Sequence, residues 1–161
     1  MTSGRIIVIV ILLVTAVFAV SLWWANTRAY YEPLDVVEIA VQRPDGALIA
    51  LDISEASGID ANTSPLRFRA CFTHTFDDTS AAMPYDDPTP LTTPAWFDCF
   101  NASAIGAALE AGDAIAVLGR RNVTRGVDRV VALFPDGRGF AWNQLNGTLE
   151  GPITLKDAYN A

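Results

Sequence analysis

The chain has a single histidine, and two carboxylates follow it closely. His74 precedes Asp77 and Asp78, and imidazole and carboxylate groups are competent ligands for zinc or iron. Their spacing does not match a known metal signature, and the segment around them has little hydrophobic periodicity. These three residues are therefore a weak metal candidate, with a solvated surface loop as the alternative. We expect neither a bound metal nor another cofactor.

The same segment contains two pairs of neighbouring aspartates, at residues 77–78 and 86–87. The Asp-x-Asp-x-Asp-Gly register of a calcium loop is absent, and the sequence does not fix the separation that glycoside hydrolysis requires of two carboxylates. The sequence also lacks a nucleophile elbow, a phosphate-binding loop, a dinucleotide fingerprint and a zinc-protease helix. We therefore expect a protein that is not an enzyme.

Five arginines are concentrated in one region of an otherwise acidic chain. They could dock an acidic partner, or they could neutralise the acidic loop of the same chain, and the sequence leaves both alternatives open. The candidate partner-binding residues are Arg120, Arg121, Arg125, Arg129 and Arg138.

The overall charge excludes one class of partner. The chain has 18 acidic and 11 basic residues. After residue 31 there are 18 acidic and 9 basic residues, because Arg5 and Arg28 lie earlier, and this part has a net charge of −9. Such a domain is repelled by phosphate backbones, so we expect no binding to nucleic acid. The acidity also suits a domain that must stay soluble after export.

Two cysteines, Cys71 and Cys99, lie in this acidic part. In an oxidising compartment such a pair forms a disulfide, which would stabilise the fold by about 3.5 kcal/mol. The sequence has no Cys-x-x-Cys motif for thiol–disulfide exchange. Cys71 shares a predicted strand face with Arg67 and Arg69, so the bridge should hold the following segment across this arginine-bearing face.

Two β-hairpins are predicted, the first from alternating apolar and polar residues and the second from two strand-like segments on either side of a turn. The first covers residues 36–53 around a turn at 43–46, and the second covers residues 127–145 around a turn at 135–138. Both turns contain Pro-Asp-Gly, in which proline and glycine favour the required backbone conformations.

Two further strands and one helix complete the prediction. The strands cover residues 66–72 and 115–117, and Gly119 ends the second one. The helix covers residues 101–111, with an asparagine at its N-cap and Gly112 at its C-terminal cap. The predicted fold class is α+β: one N-terminal transmembrane helix, then a mostly antiparallel β domain with one short helix.

Residues 6–24 form an uninterrupted run of apolar and small residues without a charge. As a helix, the run would be about 28 Å long, close to the thickness of a bilayer core. It is longer than the apolar core of a typical signal peptide, and aromatic residues suited to the membrane interface close the run and follow it. A signal peptide cleaved after Ala19 is the alternative to an anchor. The predicted membrane-interface residues are Trp23, Trp24, Tyr30 and Tyr31.

Orientation follows from the basic residues beside the span. Arg5 and the amino terminus precede it, whereas Arg28 after it lies close to acidic residues, so the N-terminus is predicted to be cytoplasmic. In a bacterium, the C-terminal domain would then lie in the periplasm. The predicted organisation is a cytoplasmic head (1–5), a transmembrane anchor (6–24), a linker (25–34) and a periplasmic β-rich domain (35–161).

The short N-terminal anchor and the stretch RVVALFPDGRGFAW at residues 129–142 resemble small, uncharacterised single-pass envelope proteins of alphaproteobacteria. The resemblance implies a compartment, the bacterial inner membrane with a periplasm-facing domain, and no chemistry. We therefore expect a non-catalytic accessory or assembly protein that presents its periplasmic domain to an inner-membrane complex, with a respiratory complex as the natural setting. The alternative is a stand-alone periplasmic domain that binds a small ligand or a metal at the His74 loop.

Overall fold

The computed structural model describes residues 3–76 and 78–148. The chain divides into two compact units, and the boundary falls between Tyr31 and Glu32.

The first unit is one long apolar helix. Helix α1 covers Ser3–Trp24, and a π-helical turn, Ala25–Ala29, continues it. The whole element has 27 residues, and its most apolar 18-residue stretch has a mean hydropathy of 3.0, so by length and composition it is able to cross a bilayer. Polar side chains within it bond to the helix backbone, as Thr15 does by donating to the carbonyl of Ile11 at 2.9 Å. The continuous helical element, Ser3–Ala29, extends beyond both ends of the predicted span 6–24.

The second unit is an α+β domain with one six-stranded antiparallel sheet and a separate two-stranded hairpin. The sheet order is β1-β4-β5-β8-β7-β6, and the hairpin pairs β2 with β3. Short 3-10 turns lie at Pro65–Arg67 and Thr79–Ala81. The elements are β1 (Glu32–Pro33), β2 (Ala40–Gln42), β3 (Leu48–Ala50), β4 (Ile53–Asp60), β5 (Arg69–His74), α2 (Ala102–Ala111), β6 (Ile115–Thr124), β7 (Val127–Leu133) and β8 (Arg138–Leu145).

One face of the sheet forms the main core. Phe68, Ala70 and Phe72 of the β5 region pack there with Val131 of β7 and Ala141 of β8. The residues that cover this face come from the β2–β3 hairpin and its flanks, and they are Ile39, Val41 and Leu51. Because strand side chains alternate between faces, the intervening residues of the same strands form a second packed face.

The second face lies under the segment that the disulfide holds. Cys71 and Cys99 are bonded, with their Cα atoms 6.3 Å apart. Phe100 then packs edge-on against Trp142, with ring centroids 6.3 Å apart. Arg69 is only 3% exposed, and its Nε donates to the carbonyl of Leu91 at 2.9 Å. The disulfide is confirmed, and the segment between the cysteines crosses the arginine-bearing face as predicted.

The predicted helix caps are confirmed. The side chain of Asn101 accepts a hydrogen bond from the backbone N–H of Ala104 at 3.0 Å. Gly112 has a φ of 78°, the left-handed conformation in which a helix commonly ends at glycine. The turns of both predicted hairpins are also present, and Gly46 and Gly137 have positive φ there.

Several element boundaries differ from prediction. The first hairpin pairs over only three residues on each side, and β5 begins three residues later than expected, after a 3-10 turn. The predicted linker 25–34 contains the π-helical turn and β1, which pairs with Ile59 and Asp60 of β4. Strand β4 was not predicted, because it lies near the sheet edge with a run of four exposed residues and so lacks alternation.

Strand β6 continues through Gly119, where the prediction ended it, to Thr124. The prediction was wrong because glycine usually interrupts a strand, whereas here it forms a bulge inside one.

Candidate functional site

Two of the predicted partner-binding arginines lie side by side because of the bulge in β6. Leu118 pairs with Val130, but Arg120 pairs with Arg129, so β6 advances two residues while β7 advances one. In a regular strand Leu118 and Arg120 would lie on the same face. The extra residue, Gly119, moves Arg120 to the opposite face, where it lies beside Arg129.

Glycine is required at the bulge because the neighbouring strand approaches closely. A Cβ atom at Gly119 would lie 2.9 Å from Cγ2 of Val131 and 3.1 Å from Cγ of Arg129. Both distances are shorter than ordinary van der Waals contact. The bulge therefore depends on the absence of a side chain at this position.

Arg129 is held in place by two contacts that leave the end of its guanidinium available. Its Cζ lies 3.6 Å from the ring centroid of Phe68, and its Nε donates to Oδ1 of Asn143 at 3.1 Å. Asn143 is itself fixed, because its Nδ2 donates to the carbonyl of Pro65 at 2.7 Å. In the part of the chain that the structure describes, Nη1 and Nη2 of Arg129 donate to no protein acceptor.

The electrostatic environment of Arg129 favours an added anion. Burial lowers the pKa of the Arg129 guanidinium. The negative charge of Asp60 opposes this effect, and the positive charge of Arg120, a smaller contribution, lowers the pKa further. Arg120 is exposed, and among residues 3–76 and 78–148 it forms no hydrogen bond or ion pair. Two like charges directly opposite each other are unfavourable on a sheet, so an anion between them would be stabilised.

These arginines line a groove of about 700 Å³ between the sheet and the β2–β3 region. We call it the arginine groove. Aliphatic side chains and polar groups share its walls, and two carboxylates, of Glu38 and Asp52, border it. The residues that define it here are Val37, Ile39, Leu48, Ile53, Arg120 and Arg129.

The remaining predicted arginines do not join this groove. Arg138 lies beside the β7–β8 turn, where its Nε donates to Oδ2 of Asp136 at 2.7 Å. That position is five residues along the sheet from Arg129, or about 17 Å. Arg121 is exposed and directs Nη2 to the sulfur of Met83 at 3.9 Å. Arg125 lies between β6 and β7, at the far end of the bulged strand.

The His74 candidate lies at the end of β5, beside a cavity of about 290 Å³. His74 Nδ1 accepts from the backbone N–H of Phe76 at 3.2 Å, and Nε2 is buried without a hydrogen-bond partner. Asp78 accepts from the hydroxyl of Ser80 at 2.6 Å, and Asp77 lies outside the described residues. The described residues contain no group of three or more potential metal ligands.

A buried polar cluster was not predicted from the sequence. Asp128 is 4% exposed, and its Oδ1 accepts from the backbone N–H of Asn122 and from Nδ2 of Asn146, each at 2.7 Å. Burial, and next the charge of Asp128, raise the pKa of the Tyr85 hydroxyl. The signal for this cluster is a charged residue, Asp128, that interrupts the apolar run of β7. The hydrogen bonds of Asp128 connect β7 to residues of β6 and to the segment after β8, so the cluster has a structural role.

The aromatic residues near the end of α1 are mostly exposed. Trp23 and Trp24 are 62% and 55% exposed, and Tyr30 is 45% exposed. Their role at a membrane interface stays a prediction. By length and composition the long apolar N-terminal helix could serve as a membrane anchor or a signal sequence, and the disulfide suggests an oxidising compartment.

The comparisons with known proteins give one match. The model of a family of unknown function, DUF6446, matches residues 37–152, which include both arginines of the groove and both cysteines. No curated protein and no solved structure matches the chain.

Proposed function

We propose that this chain, which belongs to the DUF6446 family of unknown function, is a non-catalytic, membrane-anchored accessory or assembly protein. In this proposal α1 stays uncleaved in the bacterial inner membrane, with the N-terminus in the cytoplasm. The domain from residue 35 onward is presented in the periplasm to an inner-membrane complex, of which a respiratory complex is the natural example. The arginine groove is the surface that receives the partner.

The long apolar helix supports the anchored location. It has 27 residues, none of its most apolar window is buried within the chain, and exposed tryptophans lie near its end. Tryptophan favours the interfacial zone of a bilayer, where its ring and its N–H group both find suitable surroundings. A disulfide in the second unit is consistent with the periplasm, which is an oxidising compartment.

The observation that carries the proposal is the paired arrangement of Arg120 and Arg129. In a domain with net negative charge, two arginine side chains lie next to each other on one sheet face. No carboxylate of the described chain forms an ion pair with either arginine. Charge complementarity across an interface guides partner choice and docking register. The groove therefore suits a partner that brings negative charge.

The test is purification of the full-length protein from native membranes in mild detergent, followed by mass spectrometry. We expect stoichiometric membrane proteins to accompany the wild type, and we expect Arg120→Ala to lose them. Arg138→Ala is the matched control, because it removes the same charge from an exposed arginine that pairs with its own Asp136. A protein that purifies alone, or an Arg138→Ala variant that loses the same partners, would contradict the proposal.

A stand-alone binding domain is the second candidate function, and the buried, unpartnered Nε2 of His74 favours it. A small ligand in the adjacent cavity could accept a hydrogen bond from this nitrogen. Zinc titration of the full-length protein by calorimetry tests the metal version. Binding that His74→Ala abolishes, in a protein that purifies alone, would favour this candidate over the first.

A further inference from the structure

We propose that the arginine groove recognises a single carboxylate, carried by an apolar segment of a partner protein. The carboxylate would be an Asp or Glu side chain or a chain terminus, and it would pair with Nη1 and Nη2 of Arg129 and with the guanidinium of Arg120. The protein nature of the partner rests on the proposed function, whereas recognition of a carboxylate is testable without it.

The geometry of Arg129 carries this inference. A free arginine side chain loses much rotamer entropy when it binds an anion, which reduces the net gain. Here the stacking on Phe68 and the bond from Nε to Asn143 already fix the guanidinium plane. The two terminal nitrogens then present a preorganised fork, and a carboxylate matches such a fork with two parallel hydrogen bonds.

Arg120 adds a second positive charge at the same place. The bulge at Gly119 places it directly opposite Arg129, and cross-strand neighbours have Cβ atoms about 5 Å apart. A carboxylate between the two guanidinium groups would relieve their mutual repulsion and offset the burial that lowers the pKa of Arg129. Both arginines therefore contribute more to the bound state than to the free state.

The walls of the groove restrict what can surround the carboxylate. Aliphatic side chains such as Val37, Leu48 and Ile53 border it, so apolar neighbours on the ligand would be buried favourably. Glu38 and Asp52 also border the groove and would repel further acidic residues or a doubly charged phosphate. The fitting ligand is thus one carboxylate flanked by apolar residues, and not an acidic run or a phosphate surface.

The test uses the full-length protein in an uncharged detergent, with ¹⁵N-labelled arginine, and follows the Nε–H resonances by NMR. The probes are acetyl-Leu-Glu-Leu-amide, its uncharged match acetyl-Leu-Gln-Leu-amide, and inorganic phosphate. We expect the Glu peptide to shift the Arg129 resonance and to bind roughly 10- to 100-fold more tightly than the Gln peptide, because only the Glu peptide forms charge-assisted bonds. Phosphate should bind more weakly than the Glu peptide.

Variants localise the effect. Arg129→Lys keeps the charge but loses the fork, so affinity for the Glu peptide should fall by about tenfold. Arg120→Ala lies at an exposed position outside the core and should weaken binding severalfold without unfolding the protein. Arg138→Ala should leave binding unchanged. Equal binding of the Glu and Gln peptides, tighter binding of phosphate, or an equal loss in Arg138→Ala would each overturn the inference.

The two proposals fail in different ways. If the Glu peptide binds at Arg129 but no membrane protein accompanies the purified chain, the carboxylate site stands and the accessory role falls. If a partner is captured but neither peptide shifts Arg129, the accessory role stands and the groove is not the recognition site.

Discussion

Replacing Gly119 with alanine tests whether the β-bulge positions the arginine pair. The added Cβ would lie 2.9 Å from Cγ2 of Val131, 3.1 Å from Cγ of Arg129 and 3.2 Å from the carbonyl oxygen of Arg129. Val131 is fully buried in the core and cannot move without disturbing its neighbours. The strands must therefore separate, or the stem of Arg129 must shift away from Phe68.

The magnitude follows from two opposing contributions. Overpacking a tight site costs about 1–3 kcal/mol, whereas alanine restricts the unfolded chain and returns about 0.4–1 kcal/mol. We expect Gly119→Ala to lower the free energy of unfolding by about 1.5 kcal/mol. Gly106→Ala is the matched control, because Gly106 lies in α2 with open space around its Cβ position. Its alanine variant should be more stable by about 0.5–1 kcal/mol.

Urea unfolding of both variants, followed by circular dichroism, measures the stability change. The Arg129 Nε–H resonance reports whether the guanidinium has moved, and it should shift in Gly119→Ala and stay in place in Gly106→Ala. A Gly119→Ala variant as stable as the wild type would show that the close approach does not exist. A destabilised variant with an unchanged Arg129 resonance would show that the bulge does not position the arginine.

Three further results are expected. Replacing both Cys71 and Cys99 with serine should lower the free energy of unfolding by about 3.5 kcal/mol, because two residues 28 positions apart are then no longer cross-linked. An unchanged urea midpoint would refute this expectation. The backbone N–H of Arg138, and next its guanidinium, hold the pKa of the Asp136 carboxyl below its usual value, so Arg138→Ala should raise this pKa only in part. In the folded protein Asp136 stays ionised at lower pH than in the unfolded chain, so its contribution to stability is present above the unfolded-state pKa and is lost as pH falls through the folded-state pKa. NMR titration of the Asp136 carboxyl measures both pKa values, and an unchanged pKa in Arg138→Ala would contradict the assigned cause. N-terminal sequencing of the membrane-extracted protein should find α1 retained, whereas a mature start at Val20 would prove cleavage.

The elements that were predicted correctly have strong local signals. The helix start at Asn101, its end at Gly112 and the two Pro-Asp-Gly turns are set by backbone preferences within a few residues of chain. The apolar runs of β7 and β8, on either side of the second turn, likewise predict strands that are buried on both faces. Strand β4 has no such signal, because hydrogen bonding to β5, and not its own composition, makes it a strand.

The candidate site shows the same division. The sequence grouped five arginines by their closeness along the chain, but the sheet separates Arg138 from Arg129 and pairs Arg120 with Arg129. Because the strand was predicted to end at Gly119, the bulge that places Arg120 beside Arg129 was not predicted. Neither the cross-strand register nor the stacking on Phe68 is encoded by neighbouring residues.

Four properties follow from the amino-acid sequence alone: the apolar helix, the α+β class, the pairing of the only two cysteines and the acidic character of the second unit. These properties depend on composition and on periodicity over short stretches, which can be read without knowing which strands pair. The pairing of Arg120 with Arg129 depends on the tertiary fold, because strand register and a single extra residue in β6 set the face on which each side chain lies. The proposed carboxylate site lies across two strands, so it depends on that register and has no local sequence signal.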